Sequence, residues 1–118
     1  NFFNFRLANG RLGIELSDTV NQNFRNAGTT RYDDNVWHHV AAVRAGTRLT
    51  AYVDGVQVDT GTSAAVTDVT ATSAFTFATS PVAGTFGLYF TGDFDDARIY
   101  GAPLDACSVA RLAARPEN

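Results

Sequence analysis

Asn35 to Val58, NVWHHVAAVRAGTRLTAYVDGVQV, is the stretch that decides the fold. Its alternation predicts three strands joined by two tight turns. Asp54-Gly55 is a strong two-residue hairpin signal, because a type I′ turn needs positive φ at both central residues. That turn sets Val53 opposite Val56, Tyr52 opposite Gln57 and Ala51 opposite Val58, leaving one face apolar and the other mixed. Parity also reads the turn around Gly46. A two-residue Ala45-Gly46 turn would oppose Val43 to Arg48 and Ala41 to Thr50, mixing the faces. A three-residue Ala45-Gly46-Thr47 loop opposes Val43 to Leu49, Ala41 to Ala51 and His39 to Val53. A one-residue slip moves every side chain to the other face, so the three-residue loop is the expectation, with Arg44 facing Arg48.

Upstream, Phe2 to Leu7 and Arg11 to Leu16 predict a hairpin turned at Asn9-Gly10. Its register pairs Leu7 with Leu12, Phe5 with Ile14 and Phe3 with Leu16 on one face. Arg6 with Gly13 and Asn4 with Glu15 take the other, as expected of an antiparallel sheet with one wet side. Ser17 to Asn35 is polar, with a weak strand over Thr19 to Arg25 and loop elsewhere.

Downstream, Thr60 to Ser73 reads as an extended loop, with a short edge strand at Val66 to Thr70. Ala74 to Ala78 reads as a strand, which Ser80-Pro81 breaks off. Phe86 to Phe90 and Phe94 to Tyr100 are expected strands around Thr91-Gly92-Asp93, a turn that parity leaves open. Asp105 is the expected N-cap of a helix from Ala106 to about Ala114, docked through Val109 and Leu112 and stopped by Pro116.

With 118 residues the chain has room for one domain and a real core. Apolar residues make up 45% and aromatics 12%, ordinary for a globular protein, and no long helical pattern competes with the all-β reading. A net charge of −3 without a basic patch points away from nucleic acid. All nine basic residues are arginine. The single cysteine, Cys107, excludes an internal disulfide and is expected to be a buried small hydrophobe. No apolar run reaches the roughly 20 residues that span a bilayer, and no signal peptide is visible. The absence of methionine and the direct entry into a strand suggest a processed product or an excised piece.

Trp37-His38-His39-Val40-Ala41, Leu49 to Gly55 and Phe94-Asp95-Asp96-Ala97-Arg98-Ile99-Tyr100 follow one another in that order. Together they resemble the laminin G-like jelly roll of the concanavalin A-like lectin and glucanase superfamily, over roughly Phe3 to Ala114. The resemblance implies a jelly-roll sandwich of two antiparallel sheets with a short C-terminal helix. It also implies that residues 1–118 form one such domain, partial at its N-terminus, because family members carry further strands before the position of Phe2.

Several residues are candidates for chemistry. His38 and His39 are adjacent in an expected strand and so point to opposite faces, which excludes their acting as a pair. His39 shares a face with Trp37, Ala41 and Val43 and is expected to be a hydrogen-bonded core residue, a framework position by the resemblance. His38 is the candidate for ligand contact. Tyr32, Tyr52, Tyr89 and Trp37 are candidates for a sugar-stacking platform, Tyr52 and Tyr89 being the preferred pair for their polar strand neighbours.

Asp93, Asp95 and Asp96 cluster on a turn and strand, and hard cations such as calcium take carboxylate oxygens. The resemblance implies a structural calcium at Asp95, with Asp93 beside it; a hydrogen-bonded structural aspartate is the competing reading. Asp96 and Arg98 share the opposite face and suit a surface ion pair. Glucanases of the superfamily need paired carboxylates, whereas this chain has only Glu15, alone in a hairpin, and Glu117 in the tail.

The resulting expectation is a non-catalytic extracellular or surface-displayed module that recognises a glycan or a protein. The alternative is a structural component of a surface layer, appendage or virion. There a partner chain or a second copy would complete the sheets along an open edge.

Overall fold

A computed structural model describes residues 2–18, 20–26, 28–62, 69–70 and 90–115. Its strands are β1 (Phe2–Ala8), β2 (Arg11–Ser17), β3 (Gln22–Asn26), β4 (Val40–Ala45), β5 (Arg48–Val53) and β6 (Val56–Thr62), followed by helix α1 (Ala106–Ala113). They form two antiparallel three-stranded sheets, ordered β1-β2-β3 and β4-β5-β6.

The two Xaa-Gly turns behave as their residues require. Asn9 and Gly10 have φ of 52° and 75°, and Asp54 and Gly55 have 51° and 79°, the double positive φ of type I′. Leu7↔Leu12, Phe5↔Ile14 and Phe3↔Leu16 pair as the hairpin reading requires. The middle strands then supply the core. Leu12, Ile14 and Leu16 of β2 meet Leu49, Ala51 and Val53 of β5, with Phe5, Leu7, Ala42 and Val58 packed around them. Sheet faces sheet across this layer, so the architecture is a β-sandwich.

The register between β4 and β5 differs by one residue from expectation. Val40 pairs with Val53, Ala42 with Ala51 and Arg44 with Leu49, around a two-residue Gly46-Thr47 turn. Gly46 has φ of 59° while Thr47 does not enter the positive region, the signature of a type II′ turn, which takes glycine first. This register also separates Arg44 from Arg48, removing a like-charge pair that the three-residue loop would have made.

β6 carries a second correction. Val53↔Val56 and Tyr52↔Gln57 pair as expected, but Ala51 opposes Asp59, and Val58 is the extra residue of a bulge. The strand continues to Thr62, through residues expected to be loop. It is held there by the Thr50 and Thr60 hydroxyls, 3.2 Å apart, and by Thr60 Oγ1 donating to the Leu49 carbonyl at 3.3 Å.

Ser17 and Gln22 close the β2–β3 connection, where Asp18 Oδ1 accepts from the backbone N–H groups of Val20 and Asn21 at 2.9 and 2.6 Å. At the other end of the chain, Asp105 caps α1 by accepting from Ser108 N–H at 2.7 Å, and Val109 is fully buried. Cys107, in contrast to its expected burial, is exposed on the first turn of α1, because the helix turns its Val109 side inward.

Phe94 to Tyr100 is not a strand but an exposed irregular segment. Asp96 sits at φ of 49° and its N–H goes to the Asp95 side chain at 2.7 Å, so local bonds replace a ladder. The expected strands at 74–78 and 86–90 and the edge strand at 66–70 lie wholly or mostly outside the described residues.

Candidate functional site

The described residues that converge most tightly lie where the 28–39 segment crosses the β5–β6 turn. Tyr32 N–H donates to the Gly10 carbonyl at 2.8 Å, tying this segment to the β1–β2 turn. Arg31 Nε donates to Asp33 Oδ1 at 2.9 Å and its Nη2 to Asp33 Oδ2, a forked surface pair beside Gly10. A Cβ on Gly10 would meet the Asp33 carboxylate, an exposed side chain that would have to swing aside, while the φ of 75° calls for glycine whatever the space.

Residues 35–39, expected to begin a strand, instead follow a bend at 34–36. Asp34 Oδ1 accepts from Val36 N–H at 3.1 Å and Asn35 adopts φ of 64°, so the side chain holds the backbone out of the extended form. β4 therefore starts only at Val40. The consequence is that Val36 and Trp37 stand out, 62% and 54% exposed. Trp37, one of the four aromatic candidates for a sugar-stacking platform, is a surface residue.

His38 sits beneath them between two carboxylates. Its Nδ1 is 2.8 Å from Asp54 Oδ2, and its Nε2 is 3.1 and 3.3 Å from the two oxygens of Asp34. The Tyr32 ring meets the imidazole edge-on, with centroids 5.3 Å apart and planes at 74°. Hydrogen bonding to Asp54, reinforced by Asp34, raises the His38 pKa above its usual 6.5 despite partial burial. Asp34 lies below its usual range, chiefly through the Val36 N–H and then through His38.

Asp54 is the joint of the arrangement. Its Oδ1 accepts from His39 N–H at 3.0 Å, its own N–H donates to the His39 carbonyl at 2.8 Å, and its Oδ2 takes His38. The His39 ring differs from its expectation: it is half-buried, and its Nδ1 meets no hydrogen-bond partner among the described residues. Backbone groups hold His39 in place.

The other candidates are more scattered. Tyr52 lies in the fully covered strand β5 and is 6% exposed, so its ring offers no open face for stacking. Tyr89 lies outside the described residues. Asp93 and Asp95 are exposed, beside a shallow depression lined by Phe94, Asp95, Asp96 and Ala97. Asp95 Oδ1 is engaged by Asp96 N–H, and Asp96 is gripped by Arg98 at 2.7 and 2.6 Å, as its pairing on the sequence suggested. Among the described residues, no three acidic, histidine or cysteine side chains group to hold a metal, so a calcium ion at Asp95 would need oxygens from elsewhere. Glu15 is buried and lies 3.9 Å from Arg6 Nη1, a structural rather than a solvent-facing acid.

The His38–Asp34–Asp54 bridge escaped the sequence reading, which treated Asp54 as a turn residue alone. The signal was the register. With Val40 opposite Val53, the residues just before β4 must lie level with Asp54.

A laminin G-like family model, described as the concanavalin A-like lectin/glucanases superfamily, matches residues 1–110. The chain belongs to this superfamily. Among solved structures, an S-layer domain-containing protein from Clostridium thermocellum is similar, with a TM-score of 0.61 and 24% identity. The alignment covers 89% of this chain and 52% of that one, so the chain spans about half the length of the solved structure it matches. At this identity the likeness is one of fold. No curated protein matches the chain. Among the described residues of this superfamily member, no helix is long and apolar enough to cross a membrane.

Proposed function

We propose that this domain is a non-catalytic binding module, working outside the cell or on its surface, whose contact surface is the 34–39 turn. The observation that carries this reading is Trp37, exposed beside Val36 and standing on a segment anchored at both flanks by Asp34 and Asp54. An exposed indole on a rigid support presents a flat apolar face and one N–H donor, and such rings recognise sugars and protein surfaces at low entropic cost. Carbohydrate or protein is the ligand class, and superfamily membership supports either. Burial of Glu15 against Arg6 supports the non-catalytic part, since an acid paired in the sheet is not poised beside a substrate.

A glycan array and a panel of extracellular proteins, probed with the wild type and with Trp37→Ala, test the reading. Saturable binding that Trp37→Ala abolishes while leaving the melting temperature unchanged supports it. Binding that survives Trp37→Ala moves the contact surface elsewhere and overturns it.

A second reading is supported by the S-layer domain-containing neighbour: a structural component of a surface layer, appendage or virion, completed by another chain or a second copy. It predicts ordered oligomers by light scattering and no saturable soluble ligand.

A further inference from the structure

The bridge through His38 is satisfied by one protonation state only. Nδ1 faces Asp54 Oδ2 at 2.8 Å and Nε2 faces Asp34 at 3.1 and 3.3 Å. An ionised carboxylate only accepts, and a neutral imidazole carries a single N–H. Neutral His38 therefore keeps one bridge and turns a bare nitrogen lone pair toward the other carboxylate. The two acids belong to different parts of the fold: Asp34 to the turn that carries Val36 and Trp37, Asp54 to the β5–β6 turn.

The other titratable and charged groups around the ring leave this switch intact. Tyr32 presents its ring edge from the same segment. Arg31 and Asp33 are closed on each other. His39 is bound to Asp54 through its backbone.

We propose that His38 is a proton-operated latch: as the imidazolium it ties the Val36–Trp37 turn to the β5–β6 turn, and on losing its proton it releases one carboxylate and loosens that turn, which the His39–Asp54 backbone bonds still hold at its end. Both carboxylates raise the His38 pKa, so the latch is mostly shut at 6.5, stays shut below it while the carboxylates are ionised, and opens as pH rises past the raised value. Control of ligand binding by this latch rests on the reading of Trp37 as the contact residue. The latch itself does not, and its test uses no ligand.

Trp37 is the single tryptophan of the chain and adjoins His38, so its emission reports on this turn alone. The experiment follows His38 by NMR, Trp37 emission and amide exchange across residues 34–39, all against pH. The expected result is a His38 midpoint above 6.5 that coincides with a change in Trp37 emission. Protection of the 34–39 amides, corrected for intrinsic rates, should fall at least about tenfold across the same range. His38→Gln should remove the transition. Asp54→Asn keeps a turn residue that accepts left-handed φ and should move the midpoint down, as should Asp34→Asn. These two variants carry the test if His38→Gln does not fold. A midpoint at or below 6.5, or an emission change that persists in His38→Gln, overturns the proposal.

Discussion

Gly55 lies so close to helix α1 that a Cβ placed on it would sit 3.0 Å from the Ala110 Cα and 3.2 Å from the Ala113 Cβ. The β5–β6 turn thus needs glycine twice, for its φ of 79° and for the approach of the helix. Gly46, at φ of 59°, has nothing within 4 Å of its would-be Cβ. Gly46→Ala should cost about 1–2 kcal/mol from left-handed backbone strain alone. Gly55→Ala should cost at least about 1 kcal/mol more, because Ala110 is backbone and cannot step aside without moving α1. Urea unfolding of both variants measures the difference, and equal losses would mean that the helix is not docked on the turn.

Stability should depend on pH through the same bridge that holds Trp37. The raised His38 pKa contributes stability that is fully present below 6.5 and lost as pH rises through the folded-state value. Asp34, lowered from 3.8, contributes in the opposite sense: its share is present above 3.8 and lost as pH falls through the lowered value. The wild type should therefore exceed His38→Gln in melting temperature by more at about pH 5.5 than at about pH 9. A gap that is constant with pH would show that the imidazole contributes packing and not charge.

Leu16 is fully buried where β2 meets β5, among Ile14, Leu49 and Ala51. Leu16→Ala should destabilise by about 2–5 kcal/mol, a large share of the roughly 5–15 kcal/mol that holds a small domain together. Val20→Ala is the matching control, since Val20 is 85% exposed, and should fall within about 0.5 kcal/mol of wild type. Chemical denaturation of the pair would contradict the sandwich core if the two losses were alike.

Cys107 is exposed, so a folded sample should titrate with one equivalent of a thiol reagent at the rate of an accessible cysteine. Reaction only after addition of denaturant would return Cys107 to the core.

The legible part of the fold was carried by dipeptides with a single physical solution. Asn9-Gly10 and Asp54-Gly55 demand double positive φ; the first set its whole hairpin register on that ground, and the second set its first two pairs, up to the bulge at Val58. Asp105 was legible as a cap because a carboxylate beside free helical N–H groups has few better roles. The turn at Gly46 was misjudged because clean faces were weighed and the glycine-first preference of a type II′ turn was not. β5 also has both faces covered, from Leu49 to Val53, so alternation carried little information there.

The candidate site was less legible, because it is a long-range meeting. Asp34 and His38 are four apart in sequence and Asp54 reaches them through the sheet, but the segment before β4 was expected to be extended, and the bend at Asp34 to Val36 that completes the bridge was not foreseen. Tyr52 was misread for a related reason. Polar sequence neighbours suggested an open face, whereas both faces of β5 are covered from Leu49 to Val53.

The bulge in β6 has a consequence for chain length. Gln57 opposes Tyr52 and Asp59 opposes Ala51, so Val58 is one residue more than the ladder uses. A chain shortened by Val58 would keep every cross-strand partner, losing only that side chain from the core and some local twist. A deletion of Gln57 or Asp59 would move Val58 into the vacated place opposite Tyr52 or Ala51, so the ladder would stay in step with a different side chain there. The β6 strand thus tolerates a one-residue gap anywhere from Gln57 to Asp59, and amide protection across Thr50 to Thr60 should be alike in the three deletions. In this domain, the freedom to change length lies inside a strand.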